Sequence, residues 1–368
     1  MLRHFSCVLV LAATAVPSNG FGAEATTQDH LAAVDVSQVD FDFQFQGEYI
    51  GSVFTGELQR GWETVGLQVI AGGKAQFNAV LYPGGLPGSG WRGGEKVHLS
   101  GVRTADVLSL HGSGRSIVIE NGAALFYQRD GQLLGQIARI DRASPTAGMP
   151  APWGANVLFD GYGTEALDGG RMTHQGLLME GSQFKQPYAD YTLHVEFRLP
   201  YMATARGQGR SNSGVYLQSR YEVQILDSFG LEGEHNECGG LYKYREPDIN
   251  MCLPPLSWQT YDIVFRNPRF DVAGNKLENA RLTVYHNGVA IHNNIQVSRK
   301  TGGGAQEGPN LLPTKLQDHH NPVRFRNIWI IDDTKPTGSP YSHYASHSGG
   351  FQLFSASLPP APAAYWQR

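Results

Sequence analysis

The sequence predicts an all-β protein, with a small antiparallel β domain preceding a larger two-sheet sandwich. Three observations carry this. The 368 residues include 45 Gly and 20 Pro, 17 % are charged and 11 % are aromatic, a composition suited to a turn-rich chain. Short runs of strand-like alternation recur between Gly and Pro turns, while helical periodicity is almost absent. The run from Asn212 to Asp227 also divides cleanly by alternation. Val215, Leu217, Tyr221, Val223 and Ile225 form a face fit for a core. Tyr216, Gln218, Arg220, Glu222 and Gln224 form a face dense in hydrogen-bonding groups. That inventory suits a saccharide-lining surface, and an ordinary solvated face is the alternative.

Taken in order, residues 1–25 read as a secretory signal. Arg3 and His4 precede an apolar stretch from Phe5 to Val16, with a small-residue cleavage site at Ala23-Glu24-Ala25. At roughly twelve residues the stretch is shorter than the about 20 needed to span a bilayer. The expected location is the periplasm or the cell exterior, with no transmembrane segment. Residues 40–143 contain short β-type runs, including 66–70, 75–82, 96–99, 107–110, 116–119 and 133–140, and are expected to form an accessory β barrel or sandwich without a catalytic cluster. Residues 144–154, rich in Pro, are expected to be a stiff linker with nothing to bury.

A second domain is expected over residues 155–335. Its strands run near 191–199, 212–227, 258–266, 281–286, 290–292 and 322–331, with Asn287-Gly288 as a hairpin signal because both residues tolerate positive φ. Residues 336–368 lack a pattern and are expected to be an irregular tail. The formal net charge of −4, without a basic run, gives no electrostatic support for a nucleic-acid or anionic-membrane partner.

In an oxidising compartment Cys238 and Cys252 are expected to pair as a disulfide, with two buried thiols or a metal pair as alternatives. Glu222 and Asp227 echo the carboxylate strand of laminarinase-type glucanases, in which two acids share a cleft. Gln224 replaces the middle acid, however, and the odd offset from 222 to 227 requires a bulge to bring both acids to one face. The segment from Leu316 to Trp329 offers Gln317, Asp318, His319 and His320 on a loop, then Arg324 and Arg326 on a strand. His suits proton transfer near neutral pH, and Arg can hold an enolate oxygen. The alternative is that these arginines pair with Glu196 or Glu222. No metal site is expected from His319, Asp318 and His320, which need different faces.

These residues also bring a resemblance. Leu158-Phe159-Asp160-Gly161, Asn212-Ser213-Gly214-Val215, Arg220 to Gln224, Cys238-Gly239, Trp258 to Asp262, His286-Asn287-Gly288, Leu316 to His319 and Arg326 to Trp329 together resemble the 3-keto-disaccharide hydrolase domain family, over about residues 155–333. The chain has His320 where that family more often has Gly. The resemblance implies a concanavalin-like jelly roll that cleaves glycosides oxidised at C3. A C3 ketone acidifies the C2 proton, so one base can remove it while an amide, Arg or divalent ion steadies the enediolate and the C1 substituent leaves. On that basis Glu222 or His319 is the base, with Asp227 or Tyr242 assisting departure. Gln218, Arg220, Gln224, Gln317 and Arg326 hold the sugar. The partner is an oxidised saccharide, no cofactor is required, and a divalent ion is an optional aid. The rival is a non-catalytic, lectin-like carbohydrate-binding protein.

Overall fold

The computed structural model describes residues 32–54 and 61–335, together with the short strand Leu353–Phe354. The signal segment and most of the tail lie outside the described residues. Among the described residues there is no α-helix, and no helix long and apolar enough to cross a membrane.

Gly47–Phe54 to Leu133–Arg142 form an antiparallel sheet that closes on itself where Glu48 pairs with Ile140 and Tyr49 with Arg139. Closure removes the free edges that an open sheet would present. Alternation fills the interior: Leu108 and Leu110, Ile117 and Ile119, Ala124 and Phe126 all point inward and are buried. The barrel is therefore packed solid. The tail, expected to be irregular, contributes Leu353–Phe354 as a strand on Leu133–Arg142.

The second unit is a sandwich. A seven-stranded sheet runs in the order Asn156–Phe159, Arg324–Asp332, Tyr191–Arg198, Trp258–Arg266, Ala280–His286 and Val289–Val297, with Leu178–Met179 also paired to Arg324–Asp332. A five-stranded sheet runs Leu167–Asp168, Ser182–Phe184, Lys315–Leu316, Ser213–Leu217 and Tyr221–Ile225. Their inner faces share one core, in which Leu193, Val195, Phe197, Val215, Leu217, Val223, Ile225, Ile263 and Phe325 have no exposed surface. Ile70, Val80 and Tyr82 of the barrel join this core, and Tyr201 and Ala203 of the sandwich join the barrel's. Polar contacts fasten the junction: Arg206 Nη2 donates to Gly72 O at 2.8 Å, and Lys96 Nζ meets Glu232 Oε2 at 2.8 Å.

Residues 144–149 are docked, which corrects the expectation that this part of the linker has nothing to bury. The outer face of the seven-stranded sheet buries three ionisable side chains, His194, Glu196 and Asp262. Buried polar groups need partners, and the segment supplies them. Thr146 Oγ1 donates to Asp262 Oδ2 at 2.8 Å, Ser144 Oγ lies 2.6 Å from Thr260 Oγ1, and Gly148 N donates to Glu196 Oε1 at 2.5 Å. His194 stacks on Trp329 with centroids 4.9 Å apart, and its Nδ1 lies 2.6 Å from Asp262 Oδ1. Burial alone would depress the His194 pKa. The hydrogen bonds and charges of Asp262 and Glu196 outweigh it and raise the value to about 9. Burial would likewise raise Glu196, but His194, Asn327, Arg326 and the Gly148 amide bring it down to about 2.

These shifts fix a stability window. A raised His194 pKa contributes stability that is full below its ordinary 6.5 and lost as pH rises through about 9. A lowered Glu196 pKa contributes stability that is full above its ordinary 4.5 and lost as pH falls towards about 2. The docked segment is therefore held best between pH 4.5 and 6.5. Replacing Asp262→Asn is expected to cost on the order of 3 kcal/mol at pH 6 in denaturant unfolding, with a smaller difference at pH 10. An equal loss at both pH values would contradict this.

Candidate active site on the five-stranded sheet

The site grows from one hairpin. Ser213–Leu217 and Tyr221–Ile225 pair so that Gly214 faces Gln224 and Tyr216 faces Glu222. Since Val215, Leu217, Val223 and Ile225 are in the core, Gly214, Tyr216, Glu222 and Gln224 stand on the outer face. Glu222 is 2 % exposed and Gln224 1 %. Gly214 leaves the room: a Cβ there would lie 2.5 Å from Glu222 Oε1. Thr301 Oγ1 accepts from Glu222 N at 2.9 Å, and Tyr242 N donates to Glu222 O at 3.2 Å, so the Gly302-Gly303-Gly304 loop and Tyr242 border the carboxylate's strand.

Among the described residues no cation is paired with this carboxylate. Burial pushes the Glu222 pKa up to about 7, and the hydrogen bond from the Tyr216 hydroxyl offsets only part of that. Tyr216 itself is raised, first by burial and then by the Glu222 charge, so it stays protonated. Gln317 follows Lys315–Leu316; its N donates to Gly214 O at 2.9 Å and its Nε2 approaches Tyr216 Oη at 3.4 Å. Gln224 Nε2 donates to Gln208 Oε1 at 3.0 Å, and Asn212 Nδ2 reaches the same oxygen at 3.1 Å.

Four buried oxygens of this region, Glu222 Oε2, Gln317 Oε1, Asn212 Oδ1 and Asn236 Oδ1, have no hydrogen-bond partner. These oxygens accept hydrogen bonds, and Ser182 Oγ in the cavity wall, which can donate as well as accept, is also without a partner among the described residues. Beside Tyr216 lies an open cavity of about 710 Å³ whose wall includes Asp168, Gln183, Ser219, Gly303, Lys315, Gln317 and Asp318. Glu222 sits behind Tyr216 rather than in that wall. Among the described residues, no three His, Cys, Asp or Glu converge as metal ligands would.

The structure thus brings Glu222, Gln224, Tyr242 and Gln317 together and places the other expected residues elsewhere. The run 212–227 is two strands, and Gln218 and Ser219 form their turn with φ of 47° and 54°. Gln218 Nε2 donates to Tyr188 O, and Arg220 is consumed by Gln218 Oε1, Gln306 O and Asn310 O. Asp227 lies past the end of its strand, ion-paired to Arg210 at 2.7 Å. Arg326 belongs to the other sheet, on the opposite outer face, where Glu196 holds it at 2.6 Å and it stacks 4.0 Å from the Trp258 ring centroid. His319 is exposed on the loop beyond Gln317. His320, where Gly is more usual in the family it resembles, has φ of 61°.

Cys238 and Cys252 are free thiols rather than the expected disulfide. Both are buried, and Cys238 Sγ lies 3.2 Å from Tyr261 Oη in the core. Asn212, Gln183, Lys315 and Asp168 were missed by sequence reasoning. Ser182–Phe184, Lys315–Leu316 and Leu167–Asp168 are too short to show alternation.

The site is thus a buried carboxylate without a cation among the described residues, on the outer face of a β-sandwich and beside unpartnered polar groups. Residues 154–331, just under half of the chain, match the model of the 3-keto-alpha-glucoside-1,2-lyase-like domain, so the chain carries a domain of that family. Among solved structures, a putative glycosyl hydrolase from Parabacteroides distasonis is 32 % identical, covering 50 % of this chain and 85 % of its own with a TM-score of 0.47. A second from the same organism is 17 % identical, covering 49 % and 94 % with a TM-score of 0.37. No curated protein matches the chain.

The raised carboxyl has a thermodynamic signature. A raised Glu222 pKa gives stability that is full below its ordinary 4.5 and lost as pH rises through about 7. Glu222→Gln removes that loss. The variant is expected to be more stable than wild type by on the order of 3 kcal/mol at pH 8 and by little at pH 4.5, measured by chemical denaturation. A variant less stable at pH 8 would mean the carboxylate is compensated.

Proposed function

We propose that this protein cleaves glycosides oxidised at C3, with Glu222 as the base that removes the C2 proton through the Tyr216 hydroxyl. One observation supports the reading above others: Glu222 is a buried carboxylate beside Gly214, with an unpartnered oxygen and a pKa of about 7. A base with that pKa is available at neutral pH and strong enough to take a proton acidified by a neighbouring ketone. A sugar hydroxyl would donate to the unpartnered oxygen of Gln317, which lines the cavity.

In the proposed sequence the C2 proton passes to the hydroxyl oxygen of Tyr216, which lines the cavity, as that hydroxyl's own proton moves to the Glu222 carboxylate behind it. The electron pair moves into the C2–C3 enolate. That pair then forms the C1–C2 double bond as the C1–O bond breaks. The Tyr216 hydroxyl, held on Glu222, gives its proton to the leaving oxygen and regains one from the Glu222 carboxylic acid. Water adds to the unsaturated ketone afterwards. Gln317 Nε2, beside Tyr216 Oη, is positioned to hold the C3 oxygen. Export is part of the proposal, resting on the N-terminal leader in the sequence.

The test is aglycone release from a chromogenic 3-keto-glucoside beside its unoxidised parent. Release from the keto compound alone is expected, with an ascending pH limb near 7. Glu222→Gln should lower kcat by about 10²–10⁴-fold while saturable binding persists. Release from both compounds would indicate an ordinary glycosidase. Release from neither, with sugar binding intact, would indicate a lectin.

A further inference from the structure

The polar surface continues well past the proposed reaction centre. Across the five-stranded sheet, Glu222 is in register with Tyr216, Tyr216 with Lys315, Lys315 with Gln183, and Gln183 with Asp168. Residues in register stand on the same side of a sheet. The five side chains therefore form one row perpendicular to the strands, about 19 Å long at the usual spacing between neighbouring strands. Tyr216, Lys315, Gln183 and Asp168 all line the 710 Å³ cavity. This row is longer than one pyranose ring and its departing oxygen require.

The outer part of the row has no protein partner. Among the described residues the side chains of Lys315, Gln183 and Asp168 make no hydrogen bond or ion pair, while their backbones pair in the sheet. Gln183 separates the two charges by two strand spacings, about 10 Å, which is too far for them to pair. Solvated surface charges are ordinary, but these lie in a concave wall and alternate cation, amide, anion. A hydroxyl-rich neutral ligand meets all three, because hydroxyls accept from the ammonium, donate to the carboxylate and do both with the amide. A polyanion would meet Asp168 and Asp318, and a cation would meet Lys315.

We propose that this row is an extended binding track, so that the enzyme takes neutral oligosaccharides whose further units lie over Lys315, Gln183 and Asp168. The proposal rests on the reading of Glu222 given above, and the experiment separates the two. Linear gluco-oligosaccharides of two, three and four units, α- and β-linked, are oxidised at C3 of one terminal unit, and kcat/KM is measured for each. The unoxidised series is titrated in parallel by calorimetry.

In wild type, kcat/KM should rise about 5–10-fold from disaccharide to trisaccharide in the preferred linkage, the size of effect expected from binding away from the reacting atoms. In Gln183→Ala and Lys315→Ala the trisaccharide-to-disaccharide ratio should fall to near one. A wild-type ratio near one, or a ratio that both variants preserve, overturns the track. If no keto substrate turns over, yet affinity for the unoxidised series grows with length and Gln183→Ala flattens that growth, the track stands and the proposed activity falls. Affinity independent of length, without turnover, overturns both.

Discussion

The register of one hairpin constrains the whole site. Val215, Leu217, Val223 and Ile225 are packed without exposure between the sheets, and a slip of one residue would carry Glu222 into that core and expel its apolar neighbours. Core packing therefore positions the carboxylate, although the acid itself adds nothing to the core. Gly214 completes the arrangement, since any side chain at that position would collide with the acid. A second consequence is the straight polar row across the sheet, which exists only because the pairings of the four neighbouring strands stay in step with this hairpin.

The two outer faces of the sandwich treat buried charge in opposite ways. On the seven-stranded sheet His194 lies between Asp262 and Glu196, and Arg326 reaches Glu196, so every charge is answered and the carboxylate Glu196 is held ionised. On the five-stranded sheet Glu222 has a tyrosine hydroxyl and, among the described residues, no cation, and burial raises its pKa to about 7. Comparable burial thus gives a structural fastening on one side and a titrating group on the other. A fold that needed only stability would have no reason to leave Glu222 unanswered.

Much of this was legible in the sequence. Alternation placed Tyr216, Glu222 and Gln224 together because it needs only a strand and an apolar face. It failed at Gln218 and Arg220 because the chain turns there, with positive φ at Gln218 and Ser219 and without the Gly or Asn that usually marks such a turn. Arg326 was expected at the sugar, but a sandwich has two outsides, and alternation cannot choose between them; the structure puts it beside Glu196 on the other sheet. Of the loop residues Asp318 and His319, the former lines the cavity while the latter is exposed to solvent. Lys315, Gln183 and Asp168 carried no signal, since strands of two or three residues have no period to detect.

The docked segment before the sandwich bears on how such modules can be recombined. Judged by sequence similarity, the catalytic unit begins at residue 154. Judged by hydrogen bonding, it begins upstream, at the Ser144 and Thr146 hydroxyls that answer Thr260 and Asp262. A cassette cut at the similarity boundary and grafted behind another partner would carry a desolvated histidine–carboxylate cluster with its cover missing. The stretch recognised by similarity and the stretch whose buried charges are covered have different edges, and a graft of this module has to include residues that resemble a spacer.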